Sequence, residues 1–424
     1  MRAMKDSGIE WMGKIPEKWG LNQLCWCVEE IKKKNSPIQT TNVLSLTNKL
    51  GVIPYEEKGN QGNKAKEDYS QYGLAFENTL VINSMNVLIG SVGISNYYGC
   101  VSPVYYVFRN MPTSEIRFIN HIFQTIPFQK ELRKYAKGIL EIRLRISVHD
   151  ILRRVIPYPE LKEQQEISNF LDEQCNYINN IINKTNESIE EYKKLRQSVI
   201  TQAVTKGVRG DKAMKDSGIE WIGKIPEEWD VLRVAALYEE RKENGNGELP
   251  ILTVSINTGV SDRELSDDES ERVFVRSEDR SKYMRVYPGD LTYNMMRAWQ
   301  GAFGAVRVDG MVSPAYVIVK PRREIDSRYM EALLRTQSAK EEMKRYSHGI
   351  ADFRLRLYWD KFRTIKVCFP PIEEQREIAD YIDQKCAEID ALIAKKEQFL
   401  AELENYKKSM IYEYVTGKKE VPHS

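Results

Sequence analysis

Two long segments of the chain carry apolar residues at helical spacing, with almost no glycine or proline. In residues 160–205 and 372–412, an apolar residue recurs every three or four positions, while Glu, Lys and Asn fill much of the rest. A helix with one apolar stripe and a charged back must bury the stripe against another surface. Each segment therefore predicts a helix of about 40 residues, roughly 60 Å long at the usual rise per residue.

The stripes fit the spacing of a coiled coil. In the first segment the seven-residue repeat is interrupted only at Thr185. The predicted seam residues are Ile167, Leu171, Ile178, Ile182, Ile189 and Tyr192 in the first helix, and Ile378, Ile382, Ile389, Leu392, Phe399 and Leu403 in the second. We expect the two helices to pair antiparallel, because a two-fold relation between the copies then places one globular domain at each end of the helical pair. The alternative is two separate coiled-coil tails that bind other proteins.

The chain as a whole is one module written twice. Residues 3–19 and 213–229 are identical at fifteen of seventeen positions, at an offset of 210. An offset of 211 then matches shorter islands: Asn83 with Asn294, Met85 with Met296, Gly90 with Gly301, and Val101-Ser102-Pro103 with Val312-Ser313-Pro314. Between the islands the copies diverge almost completely, which predicts a common scaffold that presents different surfaces.

The segments before each long helix contain short apolar runs separated by Gly, Asn and Pro. Such runs predict strands, and two stretches near 114–137 and 327–346 predict helix. The predicted fold class is α/β (α+β): two mixed α/β domains related by pseudo-two-fold symmetry and separated by two long antiparallel coiled-coil helices. The predicted boundaries are 1–158 for the first domain, 159–212 for the first helix and linker, 213–369 for the second domain and 370–424 for the second helix.

Composition and charge agree with a folded chain that binds a polyanion. Hydrophobic residues make up 42% of the 424 positions, and no apolar run approaches the 18 or so residues of a membrane span. We therefore expect a cytoplasmic protein without membrane contact. Lys and Arg outnumber Asp and Glu by 21 to 14 in residues 1–159, whereas residues 213–371 carry 26 of each. The basic excess favours a nucleic-acid partner, although an ordinary soluble surface also produces such an excess.

The sequence contains no familiar catalytic motif. It has no G-x-G-x-x-G, Walker A or H-E-x-x-H pattern, and only four histidines. Cys25 and Cys27 could form half of a metal site, but their spacing equally puts both on one face of a strand. We favour reduced, mostly buried thiols and expect neither a metal nor a cofactor in this chain.

Two motifs recur at the end of each domain. Gly-Ile-x-x-x-Arg-x-Arg is followed by a proline-marked entry in which Glu-Gln-x-x-Ile opens the long helix. The motifs occupy Gly138 to Arg145, Pro157 to Ile167, Gly349 to Arg356 and Pro370 to Ile378. This doubled arrangement, over essentially the whole chain, resembles the specificity subunits of type I restriction-modification systems, the HsdS family. Pro159-Glu160 departs from the Pro-Pro pair that is usual there and is present at Pro370-Pro371.

The resemblance implies a non-catalytic subunit in which each domain reads one half of a bipartite double-stranded DNA target and the helices set the spacer. It also implies two methyltransferase subunits as partners, with nuclease or translocase subunits as further partners. S-adenosylmethionine, ATP and Mg would then belong to those subunits. The alternatives are a duplicated structural adaptor that does not read DNA, and a self-sufficient enzyme, which would itself bind S-adenosylmethionine or ATP.

DNA contacts are expected near the glycine turns that precede the long helices. The predicted DNA-binding residues are Lys137, Arg143, Arg145, Arg297, Gln300, His348, Arg354 and Arg356. Alternate arginines on an extended segment point to the same side, where they can contact phosphates. The alternative is that these arginines pair with carboxylates at the junction between domain and helix.

Base-specific contacts should come from segments that differ between the copies, because different half-sites need different side chains. The loops Lys58 to Lys66 and Arg276 to Arg285 are the candidates, whereas the acidic run Asp262 to Glu271 should face away from phosphate. We expect the repeated tryptophans to serve as core or helix-docking residues and not as base-stacking platforms. They are Trp11, Trp19, Trp221 and Trp229.

Overall fold

The chain folds into two compact units, which are described here one at a time. The computed structural model describes residues 2–47, 50–59, 68–138, 144–245, 248–266, 280–349 and 355–422. Unit 1 comprises Met1–Asn186 and Glu397–Ser424, and unit 2 comprises Glu187–Lys396. Each unit therefore combines one globular domain with a part of each long helix.

The domain of unit 1 is built mainly from short strands. They are β1 Met4–Asp6, β2 Lys14–Pro16, β3 Gly20–Gln23, β4 Val28–Glu30, β5 Val43–Thr47, β6 Gly51–Pro54, β7 Gly73–Ala75, β8 Thr79–Asn83, β9 Val92–Ser95, β10 Gly99–Val101, β11 Tyr105–Asn110 and β12 Val155–Tyr158. One four-stranded sheet has the antiparallel order β4-β11-β8-β9, and a second has the order β6-β5-β10-β7 with β5 and β10 parallel. Strands β1 with β2 and β3 with β12 form two-stranded sheets. All five residues of β8 are buried, as expected for an inner strand covered on both faces.

The domain of unit 2 repeats the strand order of the first sheet. Its strands are β13 Met214–Asp216, β14 Lys224–Pro226, β15 Asp230–Arg233, β16 Tyr238–Glu240, β17 Val254–Ser255, β18 Gly259–Val260, β19 Met284–Val286, β20 Leu291–Asn294, β21 Phe303–Ala305, β22 Gly310–Val312, β23 Tyr316–Pro321 and β24 Lys366–Phe369. The sheet β16-β23-β20-β21 corresponds to β4-β11-β8-β9 of unit 1. Pairs β13-β14, β15-β24, β17-β18 and β19-β22 complete the described sheets.

Short helices cover one face of each main sheet. They are α1 Ile116–Phe123, α2 Ile126–Arg133 and α3 Val148–Leu152 in unit 1, and α5 Val234–Leu237, α6 Ser327–Leu334, α7 Gln337–Tyr346 and α8 Trp359–Phe362 in unit 2. The stretches predicted to be helical near 114–137 and 327–346 each contain two helices. The chain is extended at Thr125 and Thr336, and the Thr336 hydroxyl caps the second helix by accepting from the amide of Ala339.

Two helices are far longer than the others, as the sequence predicts. They are α4 Leu161–Lys206, with 46 residues, and α9 Ile372–Val415, with 44. In unit 1, Phe170 packs on Tyr414 at 4.7 Å between ring centroids, and Lys407 Nζ donates to Asn179 Oδ1 at 2.7 Å. In unit 2, Arg196 contacts Asp390 at 3.1 Å. Along each unit the residue number rises on α4 as it falls on α9, so the helices pair antiparallel.

Most of the predicted seam residues are removed from solvent. Ile167, Leu171, Ile178 and Ile189 on α4 are buried, as are Ile378, Ile382 and Ile389 on α9, while Ile182, Tyr192 and Leu403 are half-buried. Leu392 and Phe399 differ from the prediction, because they are 42% and 44% exposed. Ile393 and Leu400 are the less exposed neighbours. A shift of one residue turns a side chain by about 100° around a helix, so Leu392 and Phe399 point away from the seam.

The repeated Glu-Gln motif joins each domain to its long helix. In unit 1, Trp19 Nε1 donates to Glu163 at 2.9 Å, and Gln164 accepts from the amide of Glu115 and donates to the Pro159 carbonyl. In unit 2, Trp229 Nε1 donates to Glu374, and Gln375 accepts from Asp326 and donates to Pro370 in the same way. Each motif thus ties a tryptophan and two backbone segments to the start of a helix. Of the four repeated tryptophans, Trp11 and Trp19 are buried in unit 1 and Trp229 is buried in unit 2. Trp221 is half-buried.

Candidate nucleic-acid interface

A short turn after an inner strand has the same backbone in both units. It follows β8 as Ser84–Gly90 in unit 1 and β20 as Met295–Gly301 in unit 2; we call these segments turn 1 and turn 2. The side chain of Asn83 accepts from the amide of Met85 at 3.1 Å, and Asn294 accepts from Met296 at 2.9 Å. Both turns end in a left-handed glycine, with φ of 83° at Gly90 and 96° at Gly301. The paired islands in the sequence therefore mark one local structure built twice.

Each turn is joined to the base of the loop that carries the Arg-x-Arg motif. In unit 1, Lys137 and Arg145 exchange two backbone hydrogen bonds at this base, and the amide of Ile146 donates to the Ser84 carbonyl at 3.1 Å. In unit 2, His348 and Arg356 exchange the same bonds, and Leu357 donates to Met295 at 2.9 Å. Ile146 and Leu357 are completely buried, so they anchor the loop against the core.

Four of the predicted DNA-binding residues lie at these loop bases. Lys137, Arg145, His348 and Arg356 are all exposed. Within the part of the chain that the structure describes, none of the four has a side-chain hydrogen bond or ion pair. The alternative from the sequence, pairing with carboxylates at the domain–helix junction, would have given Arg145 and Arg356 acidic partners. Arg143 and Arg354 lie outside the described residues.

The other two predicted DNA-binding residues, Arg297 and Gln300, lie on turn 2. The structure therefore brings them beside the His348–Arg356 loop base, although about 50 residues separate the two segments in sequence. Helix α7 adds two lysines to this surface: Lys344 Nζ lies 5.5 Å from the centre of the Trp299 ring, and Lys340 packs against Gly301. Burial, followed by the nearby Arg335 charge, lowers the pKa of Lys340.

The loops proposed for base-specific contacts are less suited to DNA binding where the structure describes them. Arg280 pairs with Glu264 at 2.7 Å, and Arg285 pairs with Asp309 at 2.7 Å. Carboxylates that already neutralise these arginines compete with phosphate for them. Lys58 lies over the Tyr55 ring at 4.7 Å. Residues 60–66, 267–271 and 276–279 of the loops named above lie outside the described residues.

Cys25 lies within a short 3-10 turn, Leu24–Trp26, and Cys27 caps the end of that turn, so the two do not share a strand. Cys25 is exposed and Cys27 is buried, and burial raises the pKa of the Cys27 thiol to about 11. Within the described ranges, no group of three or more His, Cys, Asp or Glu side chains is arranged to hold a metal ion. None of the described helices is both long and apolar enough to cross a membrane.

Sequence reasoning missed the outward-facing residues of turn 1. Met85 is 38% exposed and Ile89 is 62% exposed, and Asn86 is exposed between them. The available signal was the alignment of the two copies, which sets Asn86 opposite Arg297 and Ile89 opposite Gln300. Arg297 and Gln300 are among the residues predicted from the sequence, whereas their counterparts Asn86 and Ile89 are not.

Comparison with known proteins identifies a specificity domain in the first part of the chain. Residues 17–191 match the model of the type I restriction modification DNA specificity domain. Among curated proteins, the MjaVIII specificity subunit of a type I restriction enzyme from Methanocaldococcus jannaschii is 27% identical over 62% of this chain and 61% of its own length. The putative MjaX specificity subunit from the same organism is 25% identical over 68% of this chain and 65% of its own length. The matches span less than two thirds of either relative.

Solved structures share the fold at low sequence identity. A chain from a structure concerned with complex assembly and conformational transition of the type I R-M system has a TM-score of 0.69 and 13% identity, covering 96% of this chain and 99% of its own. The HsdS subunit from Thermoanaerobacter tengcongensis has a TM-score of 0.52 and 13% identity, covering 98% of this chain and all of its own. The chain is thus similar to type I restriction-modification specificity subunits in the sequence of residues 17–191 and in its overall fold.

Proposed function

We propose that this chain reads a bipartite double-stranded DNA sequence, with the domain of each unit bound to one half-site. One observation carries the proposal. In both units, a turn and a loop base with the same backbone hydrogen bonds present exposed basic side chains. Most of the side chains on the two turns differ. The same backbone can approach the same duplex geometry at each half-site. Different side chains on that backbone can read a different base sequence at each one.

Exposed cations without acidic partners support the electrostatic part of the proposal. Lys137 and Arg145 in unit 1, and Arg356 in unit 2, are free of side-chain ion pairs to other described residues. Contacts of Lys and Arg to phosphate supply a large part of DNA affinity and make that affinity depend on salt. Arg143 and Arg354, which lie outside the described residues, are proposed as further phosphate contacts.

The chain is proposed to act without catalysing a reaction. Two methyltransferase subunits would dock on the assembly and supply S-adenosylmethionine, and nuclease or translocase subunits would use ATP and Mg. The length of the paired helices α4 and α9 would set the unread spacer between half-sites. This chain would contribute only the selection of the DNA sequence.

Selection from a randomised duplex DNA library tests the proposal directly. The full chain assembled with its methyltransferase subunits is expected to enrich two short motifs at a fixed separation, with binding that weakens steeply as salt rises. Enrichment of a single continuous motif would contradict the bipartite proposal. Binding without any sequence preference would favour the structural adaptor instead.

A further inference from the structure

The inference concerns turn 1 and turn 2, and it rests on the proposed function. Their backbone hydrogen bonds correspond one by one: Gly90 donates to Val87 at 3.0 Å and Gly301 to Ala298 at 2.9 Å. The inward residues Val87 and Ala298 are both completely buried. The two turns therefore hold their outward side chains in the same positions relative to their own domains.

The outward residues fall into two classes. Met85 and Met296 are the same residue at the same place, and both are exposed, at 38% and 44%. The copies differ at five of the seven turn positions, among them the outward pairs Asn86 against Arg297 and Ile89 against Gln300. Each methionine is partly exposed, so both units present a thioether side chain at this position that is available for an apolar contact outside the chain.

The residues that differ match the chemistry of base edges. Arg can donate two hydrogen bonds to guanine O6 and N7, and Asn or Gln can pair with adenine N6 and N7. Ile offers an apolar contact to the thymine methyl group. Arg297 is half-buried, Asn86 is exposed, and neither has a side-chain hydrogen bond to another described residue. Their donors and acceptors are therefore available to a ligand.

The surroundings of the turns favour entry into a DNA groove. Exposed cations flank each turn at the loop base, Lys137 and Arg145 in unit 1 and Arg356 in unit 2, where the exposed His348 pairs with Arg356 through the backbone. Lys344 on α7 is also exposed beside turn 2. Phosphates on the two sides of a groove would meet these cations while the turn lies between them.

We propose that turns 1 and 2 enter the grooves of the two half-sites, where Asn86 with Ile89 and Arg297 with Gln300 determine which bases are read. Met85 and Met296 make the apolar contact that both half-sites share. The two pairs of positions are equivalent, so exchanging their side chains should exchange part of the sequence preference.

The test transfers the residues of turn 1 onto turn 2. The double variant Arg297→Asn with Gln300→Ile is compared with the unaltered chain, each assembled with methyltransferase subunits and selected on randomised duplex DNA. We expect the half-site read by unit 2 to change at one or two base pairs, with discrimination altered by about tenfold at each, while the other half-site is unchanged. The reverse variant, Asn86→Arg with Ile89→Gln, should alter only the half-site of unit 1.

Two controls distinguish a change in base recognition from a change in folding and from a general change in DNA affinity. Lys224→Asn removes an exposed cation on strand β14, distant in sequence from the turn, and should leave both half-sites as they are. Met296→Ser should weaken binding without changing the preferred bases. Circular dichroism is expected to be the same for all variants, because none of the altered side chains is fully buried.

The outcomes distinguish this inference from the proposed function. If the unaltered chain selects a bipartite site and both double variants select the same site, the turns do not read sequence and the inference is wrong while the proposed function stands. If the unaltered chain selects no bipartite site, both are wrong.

Discussion

Units 1 and 2 share their framework and differ in how deeply polar groups are buried within it. At the domain–helix junction of unit 2, the Glu374 side chain has no exposure and binds both Trp229 and Lys212. The equivalent Glu163 of unit 1 keeps 29% exposure and binds Trp19 and Arg2. The same motif thus fastens both domains, but only unit 2 depends on a fully buried carboxylate. A repeated sequence motif fixes which groups meet, and the surrounding packing fixes the energy of the contact.

The largest expected effect is at this junction. Glu374→Ala leaves the buried Trp229 indole without an acceptor and leaves Lys212 with only the exposed Glu228, so we expect the local stability of unit 2 to fall by about 4 kcal/mol. Glu163→Ala should cost only about 1 kcal/mol, since water can reach its partners. Hydrogen exchange of backbone amides at the start of α9 and α4 measures both. Glu373→Ala, an exposed neighbour, is the control, and equal losses at Glu374 and Glu163 would contradict the comparison.

The helix seam should respond alike in both units. Leu171 and Ile382 occupy equivalent positions and are buried, so truncation of either to Ala should cost about 3 kcal/mol. Leu392→Ala should cost less than about 1 kcal/mol, because that side chain is largely in solvent. Urea unfolding followed by circular dichroism gives these differences. If Leu392→Ala lowered the free energy of unfolding as much as Leu171→Ala, Leu392 would have to pack in the seam.

The core of unit 2 contains two tyrosines with opposite hydrogen bonding. Tyr329 donates to the Val204 carbonyl at 3.2 Å, while the buried hydroxyl of Tyr293 has no partner among the described residues. Tyr329→Phe should lower the free energy of unfolding by about 1 kcal/mol, and Tyr293→Phe should leave it unchanged or raise it by a similar amount. Thermal unfolding of the two variants decides between these directions. Destabilisation by Tyr293→Phe would mean that its hydroxyl is satisfied.

The smallest expected effect concerns the salt dependence of DNA binding. Arg145→Ala and Arg356→Ala should each reduce the slope of log affinity against log salt by about 1, since each would remove one of the proposed phosphate contacts. Arg109→Ala is the matched control, because Arg109 is exposed but already held by Glu29 at 2.7 Å. Binding titrations at several salt concentrations provide the slopes. An unchanged slope for Arg145 or Arg356 would remove that residue from the phosphate contacts.

Much of the architecture could be predicted because it follows from local spacing. The apolar stripe determined helices α4 and α9, and the repeat at offsets 210 and 211 implied that every domain element occurs twice. Most of the buried seam followed as well. Leu392 and Phe399 were misassigned, because in a row of adjacent apolar residues the spacing alone does not say which one faces the partner helix.

The sequence by itself determined that Glu163 and Glu374, or Met85 and Met296, had to play equivalent parts, since identical side chains recur at one offset. Only the tertiary structure decided what those parts are. It set the Glu-Gln motif against a tryptophan some 145 residues away and joined turn 2 to the loop base near Arg356. Contacts between distant segments depend on how strands and helices pack in three dimensions, and residue spacing along a chain carries no direct record of that packing.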